Sequence, residues 1–117
     1  MLGFLQSLYM TDIPLGTLDV MVLQCLHSMG RLHGYGIARR LEQVSEEALK
    51  LKQGTIYPAL VRLQEKGWIA AEWGLSENNR KAKFYSITRT GRKQLAVETA
   101  QWNVLAGTMA RLLKGSE

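Results

Sequence analysis

Apolar residues recur at Leu18, Met21, Val22, Cys25, Leu26 and Met29, a three-and-four spacing that predicts a buried helical stripe after Pro14 and Gly16, ended by Gly30. A turn, GRLHGYG, leads to a second stripe of Ile37, Leu41 and Val44, with Arg39, Arg40 and Glu42 between them. His33 or the following glycine begins that helix. The third segment, QGTIYPALVRLQEKG, sets Ile56, Leu60 and Leu63 on one face and stops at Gly67. With Thr55 as N-cap, Pro58 falls at the third helical position, where its missing N–H removes no intrahelical bond. At about 100° per residue, Tyr57, Pro58, Val61 and Arg62 point away from the apolar stripe.

The period then changes. Ile69, Ala71 and Trp73 alternate with more polar positions, as do Tyr85 and Ile87, which predicts a hairpin joined by the polar stretch LSENNRKA. That connection is cationic and longer than a purely structural two-residue turn requires. From Thr88, a suitable N-cap, a helical pattern runs through GRKQLAVETAQWNVLAGTMARLLKG, a rise of about 37 Å. Leu95, Trp102 and Met109 lie seven apart, as do Leu105 and Leu112, the seam of a helix packed along a partner helix. The expectation is a dimerisation helix, helped by the apolar segment around Leu2, Phe4, Leu5, Leu8 and Tyr9. The competing reading folds the long helix back on its own domain.

Composition narrows the class. With 117 residues there is room for one core, and 46% apolar with 21% charged residues is ordinary for a globular chain. No apolar run approaches the roughly 18 residues that span a bilayer, and MLGFLQSLYM lacks a cationic leader, so a cytoplasmic location is expected. Cys25 is the single cysteine and leaves no Cys-x-x-Cys pair for zinc. Cys25 and His27 lie two apart on a helix and point away from one another, so a metal site with His33 is not expected, nor is any cofactor. No phosphate loop, nucleophile elbow or paired-carboxylate motif is present, which argues against an enzyme.

Charge changes the picture more. The chain carries +5 overall, and residues 51–93 hold nine Lys and Arg against three Asp and Glu, while the segments on either side are close to neutral. Such gathering is the footprint of a polyanion partner, nucleic acid before membrane. The order of three helices, a strand pair with a basic tip and a long closing helix predicts a mainly α fold with a small β-hairpin. This is a winged helix-turn-helix over residues 15–87, preceded by an apolar segment over 1–14 and followed by a dimerisation helix over 88–117.

The stretches GTLDVMVLQCL, LHGYGIARRLE, QGTIYPALVRLQEKGWI, EWGLSENNRKAKFYSIT and TGRKQL resemble the PadR family of bacterial transcriptional regulators over about residues 15–95. The joint occurrence of His33-Gly34-Tyr35-Gly36, Thr55-Ile56-Tyr57-Pro58 and an Asn-Asn-Arg wing before Phe84-Tyr85 makes the likeness specific. The short form, with a single long C-terminal helix, is similar to the family's compact subgroup. The resemblance implies a homodimeric repressor that binds double-stranded DNA and is released by an apolar or aromatic small-molecule effector or by another signal.

Carried onto this sequence, the recognition helix falls on residues 55–66, and Gln53, Thr55, Tyr57 and Arg62 become the expected DNA contacts. Thr55 and Tyr57 suit phosphate oxygens, and Arg62 suits a phosphate or a guanine edge. In the wing, Arg80, Lys81 and Lys83 supply phosphate charge, and Asn78 and Asn79 can hydrogen-bond sugar, phosphate or a groove edge. Tyr57 has a competing reading as a core aromatic against the second helix. Trp68 and Trp73 are expected in the core, and Trp102 either packs at the dimer seam or lines an effector pocket there. The functional alternative is a winged-helix protein-interaction module without specific DNA binding.

Overall fold

The structure, a computed structural model, describes residues 15–115. The elements in chain order are α1 (Leu15–Met29), β1 (Leu32–His33), α2 (Gly34–Val44), α3 (Gln53–Glu65), β2 (Ile69–Leu75), β3 (Lys81–Ile87) and α4 (Arg89–Leu113). The predicted hairpin is one part of a three-stranded antiparallel sheet in the order β1-β3-β2, with Leu32 opposite Tyr85 and Trp73 opposite Lys83. β1 is only two residues long, too short for any alternation to announce it.

Helix ends follow local chemistry. The His33 Nδ1 accepts a hydrogen bond from the Gly36 N–H at 2.9 Å and caps α2. Thr88 caps α4 by accepting from the Gly91 N–H, and its hydroxyl also donates to the Gly67 carbonyl at 2.7 Å, tying the end of α3 to the start of α4. Gly67 has φ +77°, and the Trp68 and Gly67 N–H groups close back onto the Leu63 and Gln64 carbonyls, a Schellman stop that favours glycine.

α3 departs from expectation at its start. Its N-cap is Lys52, whose carbonyl receives the N–H groups of Thr55 and Ile56, so Thr55 lies inside the helix and Pro58 is an interior residue. The reason is tertiary: Leu51 is buried, and its N–H donates to the Glu42 carboxylate at 3.2 Å, which anchors the chain immediately before the helix.

The core gathers Leu18, Val22, Leu23 and Leu26 of α1 with Ile37 and Leu41 of α2 and Ile56, Leu60 and Leu63 of α3, closed by Ile69, Tyr85 and Leu95. Leu49 and Leu51, in the loop after α2, complete it. That loop turns through two successive left-handed residues, Glu46 and Glu47, and the Ser45 hydroxyl accepts from the Leu49 N–H at 3.0 Å. Two residues assigned to the buried stripes, Met29 and Val44, are instead exposed, because each lies in the last turn of its helix beyond the neighbouring element.

Candidate nucleic-acid interface

The outward face of α3 carries Gln53, Gly54, Tyr57, Pro58 and Val61, all exposed, while Thr55 is half-buried. Tyr57 straddles two environments. It is 43% exposed, yet its ring lies so close to α2 that a Cβ on Gly34 would sit 3.2 Å from the ring carbons and hydroxyl oxygen. Glycine at the start of α2 is therefore what lets the tyrosine lie flat between helix and solvent.

The wing stands beside this face. Strands β2 and β3 pair from Ile69–Ile87 out to Leu75–Lys81, and residues 76–80 form a five-residue turn. The Ser76 N–H donates to the Arg80 carbonyl at 2.8 Å, and Asn79 takes a left-handed conformation with φ 60°, which asparagine tolerates well. Asn78, Asn79 and Arg80 thus form the tip, whereas Lys81 and Lys83 lie in β3, two residues apart and on one face.

Trp73 shares that face. It is 61% exposed rather than a core residue, with the Lys81 ammonium 5.2 Å from its ring centre. Alternation correctly sides Trp73 with Ile69 and Ala71, but this far along the hairpin that face opens onto a groove rather than onto the core. Trp68, by contrast, is partly buried against the core as expected.

A groove of about 610 Å³ runs between helices and wing, lined by Tyr35, Tyr57 and Val61 on one side and Trp73, Asn78, Lys81 and Lys83 on the other. It brings the outward face of α3 and the cationic wing onto one open surface. Tyr35, 69% exposed at the start of α2, belongs to this surface and was not among the DNA contacts expected from sequence.

Arg62 does not join it. Its Nη2 donates to Asp19 Oδ1 of α1 at 2.9 Å, with side-chain exposures of 28% and 11%. Its Nε is buried without a partner among the described residues. The outward orientation expected for Arg62 is corrected by its position at the flank of α3, from which the long side chain reaches across to α1. Asp19, the missed partner, was visible as one acid inside the apolar pattern of α1.

Other cations are similarly occupied. Arg39 pairs with Glu42 and Glu47, and Arg31 pairs with Glu72 at 3.3 Å while stacking 4.1 Å above the Phe84 ring. Arg80 and Lys83 are exposed and have no acidic partner among the described residues.

α4 has two halves. Leu95, expected at the dimer seam, is buried in the core of its own chain, because the first turns of α4 pack against α1 and the sheet. Beyond it Trp102, Leu105, Met109 and Leu112 are between 54% and 66% exposed, an uncovered apolar stretch on a helix that leaves the domain. Trp102 also lines an open cavity of about 430 Å³ together with Val20, Met21, Cys25, Arg40, Leu41 and Val44. Burial pushes the Cys25 thiol above its usual pKa, and the nearby Arg40 charge only partly offsets this. The segment containing Leu2, Phe4, Leu5, Leu8 and Tyr9 lies outside the described residues.

Among the described residues, no group of three or more His, Cys, Asp or Glu is placed to hold a metal ion, and no helix is long and apolar enough to cross a membrane.

Known proteins share this fold. A PadR-like transcriptional regulator from Bacillus cereus superposes with a TM-score of 0.74 at 29% identity, over 86% of this chain and 95% of that one. A PadR family regulator from Eggerthella lenta gives 0.69 at 31% identity, covering 84% and 82% of the two chains. A transcriptional regulator from Clostridium thermocellum gives 0.73 at 26% identity, over 82% and 92%. Residues 22–97 match the transcriptional regulator PadR-like family, a span running from the middle of α1 into α4. The chain therefore belongs to the PadR-like family, whose members are DNA-binding winged-helix regulators of transcription and not enzymes.

Proposed function

We propose that this chain is a cytoplasmic homodimeric repressor that binds a pseudo-palindromic operator through α3 and the wing. The observation that carries the reading is the shared groove: Tyr57 and Val61 on the recognition helix face Lys81 and Lys83 on the wing across one open surface. A duplex laid there meets α3 in its major groove, with Gln53, Thr55 and Tyr57 near the helix start, and meets Asn78, Asn79, Arg80, Lys81 and Lys83 along its backbone.

The dimer joins through Trp102, Leu105, Met109 and Leu112 of two α4 helices. It spaces the two recognition helices about 34 Å apart, one helical turn of DNA. An apolar or aromatic effector enters the cavity lined by Trp102 and moves α4 relative to the winged helix, which changes that spacing.

The test is fluorescence anisotropy of the full chain with labelled duplexes from upstream of its own gene, against scrambled duplexes, across a salt series. The expected result is at least about a thousandfold preference and a steep loss of affinity with salt. Replacing Lys83 by alanine should weaken binding to all sequences and reduce the salt slope by about one. Sedimentation equilibrium completes the test: Leu105→Lys should yield monomers. Absence of binding even at low salt would favour the protein-interaction module instead.

A further inference from the structure

We propose that α3 reads thymine: the methyl groups of Val61 pack against a thymine 5-methyl group in each half-site, making Val61 a specificity-determining residue. This rests on the DNA-binding reading above and deepens it.

The outward positions of α3 follow the spacing i, i+1, i+4, i+5 and i+8, which places Gln53, Gly54, Tyr57, Pro58 and Val61 on one face. None of them is charged. The strongest direct readout of a guanine edge is a bidentate arginine or a lysine. The single arginine of α3, Arg62, is bonded to Asp19, and Lys66 at the helix end lies 4.6 Å over the Trp68 ring. Beyond its N-cap, where Lys52 stands exposed, the outward face of α3 therefore offers no cation to a base edge.

What it offers instead is a branched aliphatic side chain, 54% exposed, in a groove whose opposite wall carries Lys81 and Lys83. Val61 stands beside Tyr57 and faces Trp73 as well as the two lysines, so the groove is apolar along its floor and cationic along its rim. It fits a ligand whose rim is anionic and whose floor has an apolar point. The major groove of a duplex has both, with phosphates along its edges and the thymine methyl as the apolar group on its floor. The lysines hold the backbone while Val61 senses the methyl.

The experiment begins by selecting the tightest site for the full chain from a randomised duplex library. Each thymine is then replaced by deoxyuridine, symmetrically in both half-sites, which removes the methyl and leaves every hydrogen-bonding group in place. At one position the wild-type protein should lose about fourfold per methyl, or about fifteenfold for the symmetric pair. Val61→Ala should weaken binding to the thymine duplex by a similar factor and respond little to deoxyuridine at that position. Val61→Thr, which keeps one methyl, should lie between the two.

Val61 is exposed, so its variants should retain the wild-type circular dichroism and oligomeric state. A selected site with no deoxyuridine penalty, or a penalty that Val61→Ala leaves unchanged, would overturn the proposal while leaving specific DNA binding intact. Failure to enrich any sequence would remove the DNA-reading function and this inference together.

Discussion

The Asp19–Arg62 pair gives a sharp test of how α3 is held against α1. The pair is 2.9 Å long, and its side chains retain 11% and 28% exposure. Two unit charges about 4 Å apart attract by about 4 kcal/mol at an effective dielectric near 20, and desolvation cancels part of that. Removing one partner of a buried pair typically costs about 3–5 kcal/mol, because the other charge is left uncompensated. Arg62 keeps some access to water, so Asp19→Ala should cost about 2–3 kcal/mol.

Replacing both residues, Asp19→Ala with Arg62→Met, removes the orphaned charge and keeps the apolar stem. It should recover most of the loss, with a coupling energy of about 2 kcal/mol. Urea unfolding followed by circular dichroism measures this, at one fixed protein concentration so that the proposed self-association contributes equally to every variant. With a slope of about 1–1.5 kcal/mol/M, the Asp19→Ala midpoint should fall by about 2 M. Since Arg62 braces α3 against α1, the double variant should also bind DNA within a few-fold of wild type. A loss below about 0.5 kcal/mol for Asp19→Ala, or strictly additive single losses, would refute the strut. A double variant that folds but has lost DNA affinity would return Arg62 to the DNA contacts.

Gly91→Ala should abolish stable folding or cost several kcal/mol in the same urea assay, because a Cβ there runs into the Trp68 carbonyl oxygen and the Ile87 side chain where α4 leaves the sheet. Gly34→Ala should leave stability within about 1 kcal/mol but lower DNA affinity several-fold by anisotropy, since the added methyl displaces the Tyr57 ring from its place against α2. Burial raises the pKa of both the Cys25 thiol and the Tyr85 hydroxyl, the latter with a smaller push from Tyr57. Each proton is held more tightly in the folded chain, so stability is unaffected below the unfolded-state values and falls as pH rises past them, from about pH 9 upward. Urea midpoints at pH 8 and 10.5 should separate more for wild type than for Cys25→Ala or Tyr85→Phe, and equal separations would contradict the shifts. The same burial predicts that the Cys25 thiol reacts with a colorimetric thiol reagent much more slowly in the folded protein than in urea.

Much of this protein could be read from its sequence because helix periodicity and capping are local. The stripes of α1, α2 and α3, the His33 and Thr88 caps, the Gly30 and Gly67 stops and the hairpin all depend on residues within a turn or two of one another. The concentration of positive charge was equally legible, and with the Tyr57-Pro58 and Asn-Asn-Arg stretches it pointed to the family. The loop that buries Leu49 and Leu51 has no period to read, and the two residues of β1 acquire their strand character only by pairing with Tyr85 and Phe84.

The sequence by itself determined the four helices, the hairpin, their order and where the positive charge gathers, but not β1 or the start of α3. Tertiary structure alone decided where the core ends. Leu95 and Trp102 occupy equivalent places in successive heptads, yet the first is buried by its own domain and the second is half-exposed. Ile69 and Trp73 share one face of a strand with the same outcome. Arg62 and Lys83 are both cations in the basic third, but only Arg62 has an aspartate within reach. Periodicity assigns a side chain to a face, whereas burial and pairing depend on what another element brings to that face. That distance is set by the packing of the whole chain.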